Sequence, residues 1–365
     1  MPANDLPTEV NSSVSRRPDG AGVEEDFRPR RWLAGGHRMT LVGNFLPRQN
    51  DLAPGEERLF SVEPEVEILC HCHWQRERTA APTLIILHGL EGSSNSQYVV
   101  GTANKAFAAG MNAVRMNMRN CGGTERLTPT LYHSGLSRDV AAVVRTLIEL
   151  DRLPSIALAG YSLGGNLILK CAGEWAAQAP AELRAVCAIS PSIDLGPSVE
   201  ALHRPANWIY EQKFLRGLMR RYRRKAALFP QHYTLNGTRR VRSIRDFDEY
   251  IIAPAFGFRG ADDYYDRAAS ARVIERIHVP TLIVYAKDDP FVRIVPETRA
   301  KIAGNRHIRF IETRHGGHCA FLAEPNGYDG YWAERKIIEF VGKQFPRPAG
   351  PGSAPGSQFS ADPAD

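Results

Sequence analysis

No stretch of this sequence approaches the roughly 18 consecutive apolar residues that a membrane-spanning helix needs. The opening MPANDLPTEVNSSVSRRPDG lacks the apolar core of a secretory signal, so the paired Arg16 and Arg17 do not read as an export signal. Cysteine is scarce: six in 365 residues are too few for a disulfide scaffold and favour a reducing compartment. The expected location is therefore the cytoplasm. No internal repeat is present. Charge of one sign is not in general excess either. The formal net charge is +6, but residues 211–245 hold eleven Lys and Arg against one acid, Glu211. That stretch contributes +10 and the remainder sums to −4, so a reading of the whole chain as a nucleic-acid binder fails.

What is present is an ordinary globular composition, 43% apolar and 24% charged. Residues 1–26 are polar and aperiodic, and 346–365 are rich in Pro, Gly, Ala and Ser. Neither end can bury enough apolar surface to offset its ordering entropy, so both read as flexible tails around a folded body at 27–345. Within that body, strand-like runs at Arg58–Cys72, Thr83–Leu87, Asn112–Met118, Ser155–Ala159, Ala185–Ile189, Thr281–Tyr285 and Ile308–Glu312 alternate with helical patterns. Helices are expected at Val140–Leu150, Asn166–Ala177 and Tyr331–Phe345. TLIIL, SIALA and TLIVY are apolar or nearly so throughout, which suits strands covered on both faces of a parallel sheet. The pattern predicts one α/β domain with a mostly parallel, doubly wound sheet. Residues of about 195–275 contain helical material but no buried-strand run, and read as a helical cap inserted over the strand ends.

The strongest local signal is Gly160-Tyr161-Ser162-Leu163-Gly164-Gly165, placed between a strand and a helix. Small residues around Ser162 permit the sharp turn that exposes a nucleophilic hydroxyl, and the following helix N-terminus favours negative charge. Serine needs a base and an orienting acid. Asp288-Asp289 follows one strand and His315-Gly316-Gly317-His318 follows the next, in the order Ser, acid, His. The turn position favours Asp289 over Asp288. Two glycines leave room for the imidazole of His318 and favour it over His315. His88-Gly89-Leu90-Glu91-Gly92 follows TLIIL, where a backbone donor is needed, so the expected oxyanion hole is the N–H pair of Leu90 and Leu163. His88 is expected to hydrogen-bond within that loop.

HGLEGSSNSQY, RMNMRNCGGT, LYHSG, GYSLGGNLILK, SPSIDL, YAKDDPF and GGHCAF occur in an order that resembles the AB hydrolase superfamily. They are most similar to its AB hydrolase-4 family, which includes the bacterial YheT-like esterases. The resemblance implies an α/β-hydrolase fold, a serine-dependent carboxylic ester hydrolase and a triad of Ser162, Asp289 and His318, with no cofactor. Ala34-Gly35-Gly36-His37 departs from the family pattern.

Cys70-His71-Cys72-His73 invites a metal reading, but alternation along a strand would point the cysteines away from the histidines, so no metal is expected. Tyr132-His133-Ser134-Gly135 is a polar loop cluster close to the chemistry. In the basic stretch, Phe214, Leu215, Leu218, Met219 and Tyr222 are expected to pack on the body while the arginines stay in water. Trp208, Tyr210, Phe214 and Leu218 are candidates to line an acyl pocket. Such a face suits peripheral contact with an anionic membrane better than nucleic acid, for which no stacking platform is evident. The expected substrate is a small ester or acyl lipid with a hydrophobic short- to medium-chain acyl group. A thioesterase or amidase with the same triad is the alternative, and a non-catalytic ligand receptor is a rival from another class.

Overall fold

All five residues of TLIIL are buried because alternate side chains enter two different cores. Leu84 and Ile86 join one apolar cluster while Ile85 and Leu87 join the other. The same two-sided burial holds for Ile156–Tyr161 and Thr281–Ala286. The computed structural model describes residues 27–236 and 238–345; the tails expected at 1–26 and 346–365 lie outside the described residues.

Eight strands form one sheet: β1 Glu56–Glu63, β2 Val66–His73, β3 Thr83–Leu87, β4 Asn112–Met116, β5 Ile156–Tyr161, β6 Leu183–Ile189, β7 Thr281–Ala286 and β8 Ile308–Thr313. Their order is β1-β2-β4-β3-β5-β6-β7-β8. Pairing is antiparallel from β1 to β4 and parallel from there to β8. The expected single strand Arg58–Cys72 is instead a hairpin. It turns at Pro64-Glu65, with Glu65 at φ 61°, and the alternating pattern runs through the turn without a break. The strand expected to reach Met118 stops at Met116, since the Met118 N–H is taken by His88 Nε2 at 3.1 Å.

Helices α1 Gly36–Phe45, α2 Gln97–Ala108, α3 Ser137–Glu149, α4 Leu163–Trp175, α5 Leu195–Leu202 and α6 Trp208–Leu228 are joined by Pro296–Gly304 and Trp332–Gln344. In α3, Val140, Val143, Val144 and Leu147 fall on one helical face and are all buried. They pack with α4 on one side of the sheet, while α2 and Trp332–Gln344 cover the other. Between β6 and β7 the described residues form helices and turns but no strand.

Helix α6 buries Leu215, Leu218, Met219 and Tyr222 on one face, as its spacing predicts. Its charges differ from the expectation. Arg221 turns inward to Glu91 at 3.0 Å, and Lys225 is wholly buried, its Nζ donating to the carbonyls of Glu125 and Thr128. Backbone oxygens supply the partners that water would otherwise give, and burial lowers the Lys225 pKa to about 8.

Candidate active site

Parallel strands bring their carboxyl ends to one edge, so the loops after β3, β5, β7 and β8 converge there. Ser162 sits between β5 and α4 at φ 53° and ψ −115°, a backbone conformation that costs a non-glycine residue on the order of 1–3 kcal/mol. Its surroundings hold it there. The Ser162 N–H donates to the Ile189 carbonyl at 2.9 Å, and its own carbonyl accepts from Asn166 and Ser192. A Cβ on Gly160 would lie 2.5 Å from the Gly164 oxygen, and one on Gly164 would lie 2.4 Å from the His88 oxygen. The glycines are therefore required by close backbone approach at the turn.

The two acids and two histidines form two separate pairs. His318 Nδ1 donates to Asp289 Oδ2 at 2.8 Å, while Asp289 Oδ1 accepts from the N–H groups of Phe291 and Val292 at 3.1 and 2.9 Å. Asp288 instead accepts from the Gly317 N–H at 2.8 Å and faces His315 Nδ1 at 3.2 Å. Asp289 has a wholly buried side chain, and the Asp288 pair is more exposed. Phe291 covers the His318 ring at 4.3 Å between centroids. Burial works against the imidazolium of His318, but the Cys319 side chain and the Asp289 carboxylate beside it outweigh this and raise its pKa to about 10.

Gly89 brings the β3 loop against the serine, since a Cβ there would lie 3.1 Å from Ser162 Cβ. Among the described residues, the N–H groups of Leu90 and Leu163 have no acceptor within the protein. His88 braces this loop: Nδ1 donates to the Gly89 carbonyl at 2.7 Å and Nε2 accepts from Met118. Burial lowers its pKa to about 4, which keeps it neutral. Beyond Leu90, Glu91 adopts φ 56°. Its carboxylate accepts from the Tyr132 hydroxyl at 2.9 Å and from Arg221. The arrangement can present a hydroxyl, an imidazole held by a carboxylate, and two free backbone donors to one small volume.

The sequence pattern of the alpha/beta hydrolase fold family matches residues 82–325. The chain belongs to that family. Its relatives include YheT of Escherichia coli (strain K12), named as a candidate esterase, 29% identical over 87% of this chain and 93% of that protein. Mouse phospholipase ABHD3 is 29% identical over 74% of this chain, which spans only 64% of that longer protein. Among solved structures, Est1E from Butyrivibrio proteoclasticus superposes with a TM-score of 0.50 at 16% identity, covering 80% of this chain and 98% of that one. That likeness shows the fold.

Two cavities of this hydrolase meet at Ser162. One, of about 90 Å³, lies under the segment between β6 and β7, with Leu195, Leu202, Phe214, Leu218 and Phe247 in its wall. Tyr132, His133 and Ser134 also line it, which places the polar loop cluster at the site. The other, of about 190 Å³, also reaches His318 and opens between α1 and α6. Of the four expected acyl-pocket residues, Phe214 and Leu218 line the first cavity, Tyr210 lines the second, and Trp208 lines neither, being 58% exposed. Position on a helix face did not separate Trp208 and Ile209, which are exposed, from Tyr210 and Glu211, which are buried.

The role of α1 had no signal in the sequence beyond its departure from the family pattern. A Cβ on Gly36 would overlap the Asp288 carbonyl at 1.8 Å, and Thr40 Oγ1 accepts from the His318 N–H at 2.8 Å. That helix thus buttresses the loop that carries Asp288 and Asp289 and the loop that carries His318. Glu91 and Arg221 were missed as well, because they lie far apart in sequence. Cys70 and Cys72 point into the core, with His71 and His73 on the opposite side of β2. No helix among the described residues is long and apolar enough to cross a membrane.

Proposed function

We propose that this hydrolase cleaves carboxylic esters through an acyl-enzyme formed on Ser162. His318 takes the hydroxyl proton as the oxygen attacks the carbonyl carbon, and Asp289 fixes the ring and stabilises the imidazolium. Leu90 and Leu163 N–H groups donate to the oxyanion. The imidazolium then protonates the departing alcohol, and water repeats the sequence to release the acid. Leu90 borders both cavities, so an ester spanning them passes its carbonyl beside the donors. The cavity walled by Leu195, Leu202, Phe214 and Leu218 suits a short- to medium-chain acyl group, and the larger one, with Gln97, Tyr98 and Lys213 in its wall, suits the alcohol part.

The observation that carries this reading is that a strained Ser162 and an imidazole already bound to a buried carboxylate line the same cavity. Names of relatives such as YheT and ABHD3 support the ester class. Ser162→Ala is expected to lower kcat for p-nitrophenyl octanoate by on the order of 10⁴-fold or more and to abolish labelling by a fluorophosphonate. Near-wild-type turnover by the purified variant would overturn the reading.

A further inference from the structure

Ile209, Lys213, Arg216, Arg220 and Arg223 recur along α6 at steps of three and four. At 3.6 residues per turn they fall within an arc of about 80°. All five are exposed. Among the described residues, none of the four cations has a carboxylate within ion-pair distance. The contrast with the body-facing side of the same helix is sharp: Arg221 is matched by Glu91 and Lys225 by backbone carbonyls, while the exposed Arg224 beside the stripe is matched by Glu125. The outward cations are thus uncompensated charge on a single face.

An apolar ridge adjoins one end of this stripe. Trp208 and Ile209 are 58% and 63% exposed at the start of α6, and Leu41 and Phe45 are 38% and 71% exposed on α1. These are four of the nine large apolar side chains left exposed among the described residues. The Lys213 ammonium, 5.4 Å from the centre of the Phe45 ring, joins the two helices. Leu41, Phe45, Ile209 and Lys213 also form the rim of the larger cavity, the one that reaches Ser162 and His318.

We propose that the joined outer faces of α1 and α6 dock on an anionic phospholipid bilayer, with the cavity rim against the headgroups. Cations in a row draw the helix to negative headgroups, and exposed aromatic and aliphatic side chains enter the boundary between headgroup and acyl chain. A nucleic acid would use the cations but would gain nothing from Leu41 and Ile209. On this surface a lipid-borne ester enters the larger cavity directly from the bilayer. That last step rests on the ester-hydrolase reading; the docking does not.

The test is cosedimentation of the full chain with vesicles of phosphatidylcholine alone and of phosphatidylcholine mixed with phosphatidylglycerol. Binding to the mixed vesicles, weakened by added salt and exceeding that to phosphatidylcholine alone, is the expected result. The triple variant Arg216→Glu, Arg220→Glu, Arg223→Glu should bind on the order of 100-fold more weakly. Trp208→Ser should bind several-fold more weakly. None of these four residues lines either cavity at Ser162, so turnover of a soluble short-chain ester should stay at the wild-type level and report that the fold is intact. If the triple variant does not fold, the corresponding Arg→Gln set and the salt dependence of the wild type take its place. Absence of binding to mixed vesicles, equal binding by the folded triple variant, or retention of a short RNA without vesicle binding would each overturn the proposal. Vesicle binding without ester turnover would uphold the docking and remove the ester reading.

Discussion

Asp289 is held by three donors, two backbone N–H groups on one oxygen and the His318 imidazole on the other. Asn at this position keeps the size but offers no charge to an imidazolium, so Asp289→Asn should lower kcat by about 10⁴-fold. Asp288→Asn and His315→Ala act on the neighbouring pair and should retain a substantial part of the activity. If that second pair proves to be the inactive one, the assignment of acid and base moves to it. On the proposed mechanism the imidazole also sets the pH profile. His318 must be neutral to accept a proton, and its pKa is raised from 6.5 to about 10. Activity is therefore lost as pH falls through the raised value, and kcat/KM for a soluble ester should climb with pH on the alkaline side of 6.5. His315→Ala should leave that midpoint in place. A midpoint at or below 6.5 in the wild type would contradict the electrostatics around His318.

At the scale of elements, α6 is more than a cover. Its Arg221 reaches Glu91, one residue beyond Leu90, the proposed oxyanion donor, and Gly217 makes room for the contact: a Cβ there would lie 2.3 Å from Glu91 Oε2. Rearranging this contact shifts the donor without touching the base. Arg221→Met and Gly217→Val should each lower kcat by up to about 100-fold through misplacement of the oxyanion donor. The pH midpoint set by His318 should not move, which separates this effect from damage to the acid and base. Unchanged kcat in both variants would show that the loop keeps its shape without α6. Helix α1 plays the matching part for the other loop, where Thr40 holds the His318 backbone.

For the whole molecule, the decisive feature is the space enclosed between the sheet edge and the segment from β6 to β7. Each buried CH₂ adds up to about 0.8 kcal/mol of binding, so kcat/KM should rise from acetyl to medium-chain p-nitrophenyl esters and then fall when the apolar cavity is full. Leu218→Trp places bulk in that cavity and should move the optimum to shorter chains while leaving acetyl turnover near the wild-type level. A flat profile, or one that peaks at acetyl, would contradict the apolar acyl site.

Local patterns were enough for the parallel strands, because a run buried on both faces declares itself in five or six consecutive residues, as TLIIL and TLIVY do. The elbow at Ser162 was legible for the same reason: the glycines that permit the turn, Gly160 and Gly164, lie two positions to either side of it. The turn at Pro64-Glu65 was not, since alternation continues across it in the same phase. Other features were decided only by the fold. The partner of each histidine depends on how two adjacent strands deliver their loops: the turn position favours Asp289 in the sequence, but only the fold directs it to His318 and directs Asp288 to His315. The same holds for α6, whose basic residues look alike in sequence. Arg221 and Lys225 turn inward because Glu91 and the carbonyls of Glu125 and Thr128, some hundred positions away, stand opposite them. Periodicity acts over a few residues and is written in the sequence; the matching of a buried charge needs a partner that only tertiary packing brings within reach.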